Sequence, residues 1–143
     1  MPAIPTHETD RVRSFLGGGT IEEYHNGKLV AVITSEPTKE HIESWFAEMQ
    51  RIYREWVHLR RPILLLVDAT WGATTPGFRQ RMMQINALAV TQPYKTCTAF
   101  LVQAEHAAEL TIFATLTGSG TTHRLRVFTE RDAAIHWLEQ ELG

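Results

Sequence analysis

Cysteine is almost missing from this chain: among 143 residues there is one, Cys97. A single thiol excludes an internal disulfide framework, and within a strand it reads as a buried, inert group. A long hydrophobic run is missing too, since no apolar stretch approaches the ~18 residues that span a bilayer. Charge of one sign is missing: 14 basic residues stand against 16 acidic ones, giving a formal net charge of -2 and a pI near 6.4. That balance exerts no pull toward nucleic acid. The N-terminus has no basic flank followed by an apolar run, so the expectation is a cytoplasmic protein without a signal peptide or an integral membrane segment.

Signatures of catalysis are equally scarce. The histidines at 7, 25, 41, 58, 106, 123 and 136 form no His-x-x-x-His or His-Glu-x-x-His pair, which argues against a metal site. No Gly-x-Ser-x-Gly elbow supplies a nucleophile. Gly17-Gly18-Gly19 lacks the Lys-Ser/Thr of a phosphate-binding loop and precedes a strand. An Asp-x-Asp-x-Thr phosphotransferase reading of Asp68 fails at Thr70, where the second Asp should stand. No acid and base are paired at a recognisable spacing. The expectation is a protein with no metal, no cofactor and no enzymatic activity.

What is present suits one globular domain: 43% hydrophobic and 21% charged residues in a chain long enough for a real core. Residues 1–18 read as a weakly patterned N-terminal segment, with Val12, Phe15 and Leu16 its apolar members, and 19–143 as the domain. The organising stretch is Pro62–Pro76, where the apolar run Ile63–Val67 ends at Asp68, a small-residue loop follows, and Thr75-Pro76 opens a helix as N-cap and first helical residue. Upstream, Thr20–His25 and Lys28–Thr34 flank Asn26-Gly27, a strong hairpin signal. The first of these strands alternates and reads as an edge; the second is apolar on both faces and reads as interior. Thr38 caps a long helix whose stripe runs Ile42, Trp45, Phe46, Met49, Ile52, Tyr53, Trp56, Val57. Arg51, Arg54, Arg60 and Arg61 read as that helix's solvated face.

After the central strand, Pro76–Val90 reads as a helix with Phe78, Met82, Ile85 and Ala89 on its inner face. Thr96–Val102 follows as a strand, and Glu105–Leu116 as a helix stopped by Gly118 and Gly120. His123–Phe128 reads as a last strand with Arg124 and Arg126 on an exposed face. A final helix is capped by Thr129, with Asp132 at the capping-box position. The order β-β-α-β-α-β-α-β-α predicts an α/β fold: a mostly parallel sheet of four to five strands, one antiparallel edge hairpin strand and about four helices.

At this point the chain resembles the SpoIIAA-like group of STAS/SEC14-like domains. Three motifs carry the resemblance: GGGTIEEYHNGKLVAVITSEPTKEHIESW, PILLLVDAT followed by a helix, and RVFTERDAAIHWLEQEL, in that order from about Gly17 to the end. The resemblance implies a roughly sequential sheet and a regulatory or binding role, as in the related anti-sigma-factor antagonists, with an anti-sigma factor or kinase as partner. It also implies a switch serine at the loop-to-helix junction after the central strand, in an Asp-Ser-Ser-Gly context. Here the junction reads Ala73-Thr74-Thr75-Pro76-Gly77, with Thr in place of Ser and no Asp.

Each candidate residue has a structural alternative. Asp68 either orients the loop or merely ends the strand and closes a turn. Thr74 and Thr75 are candidate phosphorylation residues beside a helix N-terminus, or plain cap and loop. Trp71 either anchors a partner or folds back over the sheet end. Asp68, Thr70, Trp71, Thr74, Thr75 and Gly77 form the expected partner-binding loop of a non-enzymatic regulatory module. The alternative is a SEC14-like domain for a small apolar molecule or lipid, its pocket lined by Trp45, Met49, Met82 and Phe113, side chains that equally well fill a core. The oligomeric state is left open.

Overall fold

Strand β4 (Ile63–Asp68) lies inside a six-stranded sheet, and its first five residues are all buried. In the computed structural model, residues 9–15, 19–33, 38–70, 76–117 and 123–142 are described, the side chains of Phe15 and residues 113–117 excepted. The remaining elements are β1 (Arg11–Phe15), β2 (Gly19–Tyr24), β3 (Leu29–Ile33), α1 (Lys39–Trp56), α2 (Pro76–Val90), β5 (Thr96–Leu101), α3 (Ala104–Thr117), β6 (His123–Phe128) and α4 (Arg131–Glu139).

The strands stand in sequence order; β1-β2 and β2-β3 are antiparallel, and β3 to β6 are parallel. The fold class is thus α/β with a mixed sheet and four α-helices. Crossovers of one hand stepping in one direction leave their helices on one face. Accordingly α1, α2 and Leu110 of α3 share a core with Val30, Val32, Leu65, Val67 and Phe100. On the opposite face α4 covers Leu29, Ala31, Leu64, Leu66, Cys97 and Ala99 through Ala134, Ile135, Trp137 and Leu138. Residues alternating along β4 feed both cores, which is why its sequence is continuously apolar. Among the described residues no helix is long and apolar enough to cross a membrane.

Four expectations need correction. The sheet has six strands, because Arg11–Phe15 pairs antiparallel with β2. This part of segment 1–18 belongs to the sheet, and β2 stands second from the edge. The hairpin loop comprises four residues, His25 to Lys28, with φ of 54°, 57° and 81° at His25, Asn26 and Gly27. Asp10 Oδ2 accepts the Asn26 amide at 2.7 Å and steadies this strained turn. Glu130, not Thr129, is the N-cap of α4, and its side chain makes no capping bond. Helix α1 ends at Trp56 and a 3-10 turn covers Val57–Leu59, so Arg60 and Arg61 lie beyond the helix, and Arg51 and Arg61 are half-buried rather than on a solvated face.

The capping of α1 stands as expected: Thr38 Oγ1 accepts the His41 amide at 3.2 Å. Its inner stripe is buried at Ile42, Trp45, Met49, Ile52, Tyr53 and Trp56, whereas Phe46 and Val57 are half-buried. Gly118 and Gly120 lie outside the described residues.

Candidate functional site

The candidate site grows from the carboxyl end of β4. Asp68, half-buried, faces Ile33 of β3 and Leu101 of β5 across the sheet. Its Oδ1 accepts the Thr70 amide at 3.0 Å and the Thr70 hydroxyl at 2.6 Å. This is the local turn that a short acidic side chain makes with the backbone two residues on. Ala69 extends the pairing by donating its amide to Leu101 O at 2.8 Å. Gln103 then ties down the turn through Nε2 to Thr70 O, at 2.8 Å. The exit from β4 is therefore fixed at three successive residues.

Trp71, Thr74 and Thr75 lie outside the described residues. The chain resumes at Pro76, the first residue of α2, and both Pro76 and Gly77 are exposed. A Cβ at Gly77 would meet nothing within 4 Å, so space is open beside α2 at this position. The structure thus places Asp68 and Thr70 together in one turn, with Gly77 where the helix begins.

Helix α2 has two apolar sides. Phe78, Met82, Ile85 and Ala89 are buried against α1 and the sheet. Met83, 51% exposed, and Val90, 44% exposed, flank Ala87 on the outer side. Residues 83, 87 and 90 keep the i, i+4, i+7 spacing of a single stripe. Ile112 of α3 is also exposed, at 62%, and the Arg79–Glu109 ion pair joins α2 to α3. The sequence reading missed this outer stripe. The signal was there, since apolar residues recur on both sides of α2.

Arg81 fixes α2 against α1. Its Nη2 reaches both carboxylate oxygens of Glu43, at 2.8 and 2.6 Å, and its guanidinium lies 4.2 Å from the Phe46 ring centroid. The outer stripe of α2 therefore lies on a helix that is packed and ion-paired against α1.

The residues expected to line an apolar ligand pocket lie in the core beneath. Trp45, Met49 and Met82 are buried there, and the Trp45 ring packs on Phe78 with centroids 4.8 Å apart. The side chain of Phe113 is outside the described residues. Tyr53 is buried among them, and burial raises its phenol well above the usual range. Cys97 is buried under α4, where burial pushes its thiol up to about 11, away from the reactive thiolate. Among the described residues no group of three or more His, Cys, Asp or Glu side chains comes together as a metal site would require.

No protein-family model, curated protein or solved structure matches this chain.

Proposed function

We propose that this protein is a non-enzymatic regulatory module that docks a protein partner on the loop after β4 and the outer side of α2. The carrying observation is the solvent-facing stripe Met83, Ala87, Val90, which begins one turn beyond the exposed start of α2. An exposed apolar stripe on a fixed helix is costly to leave in water and useful to cover. The fixed turn at Asp68 and Thr70 supports the reading, because it sets the direction in which the chain leaves toward Trp71. The resemblance to SpoIIAA-like domains supports it too, since that group carries its switch residue at the same junction.

The test is partner capture by the tagged full chain, with bound proteins identified by mass spectrometry. A protein retained by the parent should be lost with Met83→Glu and with Trp71→Ala. Thr74→Glu and Thr75→Glu, which imitate part of a phosphate's charge beside the helix start, should weaken or strengthen the same capture. If all four variants fold and retain that protein as the parent does, the surface lies elsewhere.

A further inference from the structure

At the end of the sheet opposite the loop after β4, a cavity of about 130 Å³ opens to solvent. Its walls are Lys28 of the β2–β3 turn, Arg61 and Pro62 before β4, Leu64 of β4, and Glu141 and Leu142 after α4. Pro62 and Leu142 make an apolar floor over the buried Leu64, and Lys28 and Arg61 supply two positive charges.

Arg61 is held in place. Its Nη2 donates to Gly27 O at 3.1 Å, and its guanidinium lies 5.3 Å from the centroid of the Trp56 ring. Its Nε is nonetheless buried without a hydrogen-bond partner. Lys28 is exposed and forms no ion pair among the described residues. Glu141 is the one acid in the wall, and its charge is already engaged: Lys95 Nζ stands 2.5 Å from Oε2 and Arg124 Nη1 3.1 Å from Oε1. The cavity therefore presents uncompensated positive charge beside an apolar floor.

We propose that this cavity binds a small organic carboxylate, its apolar body on Pro62 and Leu142 and its carboxylate held by Arg61 and Lys28. A guanidinium matches a carboxylate in shape as well as charge. The volume approaches the ~150 Å³ of an engineered cavity that admits benzene, so a single ring or a short chain fits. Inorganic phosphate lacks the apolar body that the floor would cover. The proposal is independent of the docking surface, which lies at the other end of β4.

The test is an NMR titration of the 15N-labelled full chain with benzoate, benzamide and inorganic phosphate. Benzoate should shift the Leu64 and Leu142 amides saturably, and benzamide should bind at least tenfold more weakly. Arg61→Met and Lys28→Gln should each weaken benzoate at least fivefold. Lys28 sits on an exposed turn, so its variant keeps the test decisive even if Arg61→Met does not fold. Absence of saturable shifts with benzoate overturns the proposal, as does benzamide binding equally well. Phosphate acting on the same amides with benzoate's affinity, or benzoate indifferent to Lys28→Gln, would also overturn it.

Discussion

His123 opens β6 with no exposed surface, its Nδ1 2.5 Å from the Thr96 hydroxyl and its Nε2 without a partner. Burial disfavours the imidazolium and pulls the pKa from 6.5 down to about 4, against a smaller upward pull from a hydrogen bond at Thr96. The unfolded chain therefore binds more protons than the folded one between these values. Stability should be full above pH 6.5 and fall as pH drops toward 4, by up to about 3 kcal/mol. Urea midpoints at pH 7 and pH 4.5 check this, and His123→Gln should narrow the difference between them. At Asp68 the decisive feature is its bonding within its own turn. Asp68→Ala removes the oxygen that accepts both bonds and should cost about 1–2 kcal/mol. Asp68→Asn keeps a carbonyl acceptor and should cost less in the same denaturation experiment. From sequence alone an orienting Asp68 and a merely local one look alike, because the choice depends on where Thr70 folds.

At the scale of elements, periodicity was readable wherever one face is buried by a large partner. The stripes of α1 and α2 and the continuous apolarity of β3 and β4 match the two cores. Strand β1 was invisible for a physical reason. Arg11 and Arg13 approach Glu23, at 3.7 and 3.9 Å, and Arg13 reaches Glu48 at 3.5 Å, so charges hold one face of this edge. Val12, on the other face, is 55% exposed. Charged edges protect a sheet from unwanted pairing and erase the apolar alternation that marks a strand. In α1, Trp45→Ala should cost about 3–5 kcal/mol, as expected for a buried aromatic. Phe46→Ala, half-buried beneath Arg81, should cost about 1–2 kcal/mol. Equal midpoint shifts for the two would contradict this burial pattern. Gly77→Ala should be neutral or stabilising by up to about 1 kcal/mol, because space is open there and alanine favours the helix.

For the whole molecule, a sheet in sequence order with α1, α2 and α3 on one side and α4 on the other was half legible. The β-α succession implied the parallel part, but β1 and the division of helices between faces needed tertiary contacts. The candidate surface was legible at Asp68–Gly77 as a break between strand and helix. Its extension along α2 was present as apolar residues on both sides of the helix but could not be assigned to the surface, because Met83 and Val90 look like core residues until Phe78, Met82, Ile85 and Ala89 claim the inner side. The cavity near Arg61 was hidden for a similar reason, since its walls come from three separated stretches. The central claim is that the outer side of α2 docks a protein. The most direct measurement compares the amount of partner captured by Met83→Glu and by Val12→Glu, two exposed apolar positions on opposite faces of the sheet. The account expects Met83→Glu to lower capture at least tenfold and Val12→Glu to leave it within twofold of the parent. Equal capture by both variants, each folded, would contradict it.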